Sequence, residues 1–220
     1  MKKEIVKTTD GSYTLYVPEL DETYHSTNGA LQESLHVFIK EGLQFRSDLK
    51  EITILEVGFG TGLNALTTLQ ELDSTSQKVQ YTSLEAYPLE WELVDKLNYM
   101  SLVEVKQYSG PFKLMHTCSW GNFTAITPCF SLRKLKIKLQ EVSFENEFDI
   151  IYFDAFAPQV QPNLWTEEIF ASMYKSLKKN GVLVTYCAKG TVKRALKAVG
   201  FELQSIPGPP GKREMSRAVK

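Results

Sequence analysis

Residues 4–18 alternate apolar and polar positions on either side of Asp10-Gly11, a pattern that predicts a small β-hairpin. Asn28 then stands as a cap ahead of Leu31, Leu35, Phe38 and Ile39, whose spacing predicts a helix to about Phe45. Ile52 to Val57 is a short apolar run dense in β-branched residues, and Leu63, Leu66 and Leu69 recur after it at helical spacing, predicting strand then helix. Val79 to Glu85 predicts a second strand, followed by a helix starting near Pro88. Two strand–helix units in tandem imply a parallel sheet.

Residues 109–140 fit this rhythm poorly. Pro111, Gly121 and Pro128 break them into short pieces ending in the alternating run Phe130 to Leu139, which reads as a small β-rich insertion. The alternation resumes with an apolar strand, Phe148 to Asp154, then a helix from Thr166 to Leu177 and a strand from Gly181 to Cys187. A helix over Thr191 to Val199, a strand over Phe201 to Ile206 and a last strand over Glu214 to Val219 complete an α/β domain. The expected organisation is 1–48 as an N-terminal hairpin and helix, and 49–220 as the main domain.

At 220 residues the chain suits one substantial domain, and a formal net charge of −1 excludes a global basic bias toward nucleic acid. Any polyanion would have to meet a local patch. The three cysteines, Cys118, Cys129 and Cys187, have no paired short spacing that chelates zinc, so no metal is expected and a reducing compartment is. No apolar stretch suits a signal peptide or a membrane span, which makes the cytoplasm the expected location and a membrane partner unexpected.

The chemistry begins where the Ile52–Val57 strand opens into Gly58-Phe59-Gly60-Thr61-Gly62. Glycine there lets the chain turn sharply and lets a ligand approach without a Cβ in the way. A dinucleotide loop would carry a third glycine where Leu63 stands, and a P-loop would carry Gly-Lys-Ser/Thr; neither is present. The spacing favours S-adenosyl-L-methionine. Glu85, ending the second strand, suits the hydroxyls of a ribose, and Glu56 lies beside the loop near the place of the cofactor's amino acid moiety. Asp154-Ala155-Phe156-Ala157-Pro158 follows another strand's carboxyl end, the edge where open α/β sheets bind ligands. An acid there can orient an attacking amine and favour the charge that develops on nitrogen. Phe156 and Trp165 are candidates to stack on a base.

These residues carry a resemblance to a known family. Tyr24-His25-Ser26 with Asn28-Gly29 and Glu33, Glu56 through Asn64, Asp154 to Pro158 with Pro162 and Leu164-Trp165-Thr166, and Gly211 to Met215 occur in one order. In this the chain resembles the methyltransferase domain of the MnmC family, bacterial bifunctional enzymes of tRNA 5-methylaminomethyl-2-thiouridine biosynthesis. The resemblance implies a Rossmann-like class I methyltransferase with a mostly parallel seven-stranded sheet. It implies S-adenosyl-L-methionine on Glu56, Gly58, Phe59, Gly60, Thr61, Gly62, Asn64 and Glu85, with Ser26 and Glu33 folding over it. Asp154 would be catalytic beside the acceptor amine, with Tyr24, Phe156, Pro158 and Trp165 around the acceptor. Lys212 and Arg213, and more weakly Lys189, would meet tRNA.

The sequence departs from that family in places. His25 stands where many relatives carry phenylalanine, and Lys138, with Gln140 and Glu141 nearby, stands where they place an acid for the adenine amino group. The family's FAD-dependent oxidase domain has no counterpart here, so methylation alone is expected, with the aminomethyl substrate coming from a separate oxidase or another upstream wobble-uridine enzyme. Methylation of another amine, a non-catalytic RNA-binding module and an NAD oxidoreductase are the alternatives.

Overall fold

The structure, a computed structural model, describes residues 1–102 and 106–220. The chain opens on a three-stranded antiparallel sheet, β1 (Glu4–Lys7), β2 (Tyr13–Val17) and β3 (Glu22–Thr23), which includes the hairpin around Asp10-Gly11. A helix follows: α1 (Ala30–Ser34) runs on as a π-helix over Leu35–Leu43 and a 3-10 turn over Gln44–Arg46. Asn28 does not cap it. Gly29 occupies the cap position, and the hairpin supplies the acceptors: Gln32 N–H donates to Asp10 Oδ2 at 3.0 Å and Ala30 N–H to Ser12 Oγ at 3.1 Å. Capping from a distant strand pair leaves no local signal.

The main sheet then forms from β4 (Glu51–Val57), β5 (Lys78–Leu84), β6 (Phe123–Thr127), β7 (Phe130–Leu135), β8 (Phe148–Phe153), β9 (Leu177–Thr185), β10 (Glu202–Pro207) and β11 (Glu214–Val219). Its order is β10-β11-β9-β8-β4-β5-β7-β6, parallel from β9 to β7 and antiparallel at both ends. It is thus a mainly parallel Rossmann-like sheet with eight strands among the described residues rather than seven. Every residue of β8 is buried, as a strand covered on both faces requires.

The additional strand comes from 109–140. That segment is only partly β: it begins as a helix, α5 (Ser109–Thr117), after the short α3 (Trp91–Val94) and α4 (Tyr99–Leu102). Its second strand, β7, pairs with β5 in parallel from Val79↔Phe130 to Leu84↔Leu135 and so belongs to the sheet itself. Pro111 and Gly121 looked like breakers, yet Pro111 sits in the first turn of α5, where its missing N–H costs nothing. Pro88 precedes α3, whose cap is Glu90, and does not start a helix.

Alternation along the strands divides the core. Ile54, Ile150 and Val182 face one cluster with the α1 continuation and α2 (Leu63–Leu72). Leu55, Ile151 and Leu183 face the other, with α6 (Glu167–Ser176) and α7 (Gly190–Ala198). Leu15, Val37, Phe38 and Leu43 from 1–48 belong to the first of these clusters, so that segment shares the core of the main sheet.

Candidate active site

In the sheet order β4 lies between β5 on one side and β8 on the other, so the chain reverses direction of travel there. A crevice opens outside the carboxyl ends of strands at such a point. The glycine loop fills its floor. Gly58, Gly60 and Gly62 have φ of 91°, 49° and 73°, and a Cβ on Gly58 would stand 2.8 Å from the carbonyl oxygen of Asp154. Gly58 and Phe59 donate their N–H groups to Leu84 O, and Asp154 donates its own to Val57 O, so the ends of β4, β5 and β8 are tied at the loop. Tyr24 lies over the loop, close enough that a Cβ on Gly60 would come within 3.2 Å of its ring.

Above this floor is a cavity of about 1210 Å³. A pocket for one small molecule typically holds about 300–1,000 Å³, so there is room for a cofactor and an acceptor together. Glu85 stands at the end of β5, accepting Gly60 N–H at 2.9 Å on Oε2 and Tyr87 N–H at 2.8 Å on Oε1. Asp154 stands at the end of β8. Burial pushes its carboxyl up to about 7, with Glu33 adding to the rise and Asn64 and Lys212 opposing it. Tyr24 meets Phe156 edge to face at 5.1 Å, and Pro158 lines the same wall.

Ser26 and Glu33 reach the cavity from the N-terminal segment. Ser26 N–H donates to Glu33 Oε2 at 2.8 Å, and the Lys212 ammonium pairs with Oε1. His25 joins β2 to the glycine loop, with Nδ1 3.0 Å from Thr14 Oγ1 and Nε2 3.4 Å from Thr61 Oγ1. Burial holds its pKa down at about 4, so it is neutral and serves packing. Lys138 and Gln140 line the cavity beyond Glu85.

Several expected site residues are placed away from the cavity or already hold partners. Glu56 is 0% exposed and does not line the cavity. Its Oε2 accepts the Ser83 hydroxyl at 2.6 Å, and burial raises its pKa to about 8, so it is a neutral acid beneath the floor. Gly62 begins α2 and faces α5, where a Cβ would stand 2.6 Å from His116 Nε2. Trp165 is 6% exposed, packs on Phe153 and Phe170, and donates its indole N–H to Phe156 O at 2.9 Å. It supports Phe156 from behind. Lys212, expected on phosphate, is ion-paired to Glu33 and lies 3.9 Å from the centre of the Tyr186 ring. Lys189 is bonded to Gln159 at the rim, where Arg213 is exposed.

Tyr186 belongs to none of the sequence motifs. It follows β9, lines the cavity and donates its hydroxyl to Ala155 O at 2.8 Å, steadying the loop after Asp154. An aromatic just past a strand's carboxyl end was the available signal.

Glycines that leave no room for side chains, and a carboxylate one strand away, fit a cofactor with a ribose and a small charged head. Comparison with known proteins agrees. A family model described as S-adenosyl-L-methionine-dependent methyltransferase matches residues 105–220. The bifunctional protein MnmC of tRNA 5-methylaminomethyl-2-thiouridine biosynthesis is similar in Cupriavidus metallidurans, 31% identical over 98% of this chain and 33% of that protein. Its namesake in Leptospira interrogans is 30% identical over 90% of this chain and 32% of its own length. The chain therefore spans about a third of these curated relatives. The crystal structure of MNMC2 from Aquifex aeolicus superposes with a TM-score of 0.75 at 26% identity, covering 99% of this chain and 70% of that one. Spermidine synthase from Thermotoga maritima, with a TM-score of 0.53 at 18% identity over 100% and 71% of the two chains, shares the fold.

Proposed function

Since the chain belongs to the S-adenosyl-L-methionine-dependent methyltransferase family, we propose that it methylates the 5-aminomethyl group of the tRNA wobble uridine, turning 5-aminomethyl-2-thiouridine into 5-methylaminomethyl-2-thiouridine. Its cofactor is S-adenosyl-L-methionine, which when bound supplies a methyl group on a positively charged sulfur. The names of the curated relatives and of the Aquifex aeolicus structure support the substrate.

The observation that carries the chemistry is Asp154, a carboxylate at the end of β8 on the wall of the same cavity as the glycine loop and Glu85. In this reading Gly58, Phe59, Gly60 and Glu85 hold the cofactor. Tyr24, Phe156 and Pro158 hold the uridine. Asp154 accepts a hydrogen bond from the amine, aims its lone pair and favours the positive charge that grows on nitrogen as the new N–C bond forms. A fully solvated carboxylate would also hold the amine as an unreactive ammonium. Burial lessens that problem, because the desolvation that pushes the Asp154 carboxyl up to about 7 disfavours the charged ammonium as well.

Arg213 and Lys189 at the rim are the groups proposed to meet tRNA phosphate, with Lys212 holding the wall behind them. A separate FAD-dependent oxidase or other upstream enzyme is the proposed source of the aminomethyl group, and the cytoplasm the proposed location. Among the described residues no helix is long and apolar enough to cross a membrane.

Transfer of a labelled methyl group from S-adenosyl-L-methionine to tRNA carrying the aminomethyl group tests the proposal, with small amines and unmodified tRNA alongside. Label in the modified tRNA alone supports it. Labelled small amines with no labelled tRNA would replace tRNA as the acceptor.

A further inference from the structure

Asn64 lies in the first turn of α2, where the glycine loop's motif suggests a cofactor contact, but its side chain is already committed elsewhere. Nδ2 donates to Asp154 Oδ2 at 2.8 Å, and Oδ1 accepts the Ser34 hydroxyl at 2.7 Å. The supporting groups are little exposed: Asn64, at the cavity wall beside Asp154, is 3% exposed, Ser34 1% and Thr67, 2.9 Å from the Ser34 hydroxyl, 0%. In its ionised form Asp154 only accepts hydrogen bonds, so the amide then turns its nitrogen to Asp154 and its oxygen to Ser34. Among the described residues Asp154 Oδ1 has no hydrogen-bond partner, and the carboxyl faces the cavity.

We infer that Asn64 is a positioning residue for Asp154: with its amide locked by Ser34, it pins Oδ2 and leaves Oδ1 to meet the acceptor nitrogen. This deepens the amine-methylation reading and rests on it for the identity of the acceptor. The link spans three elements, since Ser34 ends α1, Asn64 opens α2 and Asp154 follows β8. It is thus the same packing of α1 onto α2 that builds the core which aims the carboxylate. Other titrating or charged groups face Asp154: Glu33 from α1 and Lys212 from the loop before β11 act on it, and it acts in turn on Glu56 from β4, Tyr81 from β5 and Tyr186 after β9. All of them are unchanged in the variants below.

The test combines two measurements on the full chain. The titration of the Asp154 carboxyl, followed by carbon NMR without any acceptor, reads on its contact with Asn64 independently of methylation. Steady-state methylation of aminomethyl tRNA reads on the consequence. Asn64→Leu removes the donor, and Asn64→Asp puts a second acid against Oδ2, so the Asp154 midpoint should rise in both, further in the second. Turnover should fall about tenfold or more, as for loss of a hydrogen bond to a charged group, while KM for S-adenosyl-L-methionine stays within about twofold. Ser34→Ala should move midpoint and turnover in the same direction by less, with Ser34→Thr restoring them. The Ser34 pair carries the decision if a variant at Asn64 does not fold. An unmoved midpoint would overturn the assignment, and a raised KM for S-adenosyl-L-methionine at unchanged turnover would overturn it and make Asn64 a cofactor contact. If tRNA is not methylated at all, the acceptor reading fails while the titration still decides the role of Asn64.

Discussion

Lys212 is ion-paired to Glu33 across a separation of 179 residues, tying the loop before β11 to the helix that follows the N-terminal hairpin. Glu33 is almost wholly buried and keeps its second oxygen on Ser26 N–H, so removing the lysine leaves a carboxylate short of its cation. Lys212→Ala should lower stability by about 1–3 kcal/mol, the usual cost of stranding a buried polar partner. Glu33→Gln with Lys212→Ala should cost less than the two changes summed. Thermal unfolding of the four proteins checks this. An unchanged midpoint in Lys212→Ala, with a shallower salt dependence of tRNA binding, would return Lys212 to the phosphate role.

Asp154→Asn keeps shape and removes charge. Turnover should drop by about 2–4 kcal/mol of barrier, the range found for a preorganised electrostatic group. Cofactor affinity, measured by calorimetry, should hardly change. Normal turnover would remove Asp154 from the chemistry.

Glu56 should make stability depend on pH. Burial raises its carboxyl from 4.5 to about 8 in the folded protein. Above pH 4.5 the unfolded chain releases this proton while the folded one retains it, so the contribution is full below 4.5 and declines as pH rises to about 8. The slope is about 1.4 kcal/mol per pH unit for one such group. Glu56→Gln should flatten that part of the curve and be the more stable protein at the alkaline end. Denaturant unfolding at pH 5 and pH 8 compares the two, and parallel curves would show that Glu56 ionises normally.

Gly58→Ala should remove cofactor binding. The residue has φ of 91°, and the new Cβ would press to 2.8 Å from Asp154 O, backbone that cannot swing aside. Either the loop or the end of β8 must shift, and both form the cavity floor. Calorimetric titration with S-adenosyl-L-methionine gives the answer. Binding at wild-type strength would mean that the floor tolerates the change.

Much of the fold follows from local pattern. Apolar runs such as Phe148–Phe153 and helical repeats such as Leu63, Leu66 and Leu69 specify their elements because side-chain periodicity is a property of neighbouring residues. The pattern faltered over 109–140, where a helix with proline in its first turn and a strand joining the sheet mimic a separate excursion. Nothing local says that Phe130–Leu135 will find β5.

The same division runs through the site. Sequence alone determined that a glycine turn, Glu85 and Asp154 lie at strand ends, since each is read from the run of residues beside it. Tertiary structure decided which groups face the cavity. Glu56 and Glu85 are both acids at the ends of adjacent parallel strands, yet strand register sends one into the core as a neutral acid and leaves the other at the cavity wall. Packing likewise put Trp165 behind Phe156, Lys212 on Glu33 and Asn64 on Asp154. Each of these is a pairing of residues far apart in the chain, where burial and the need to satisfy every polar atom settle the partner, and neither is written in local sequence.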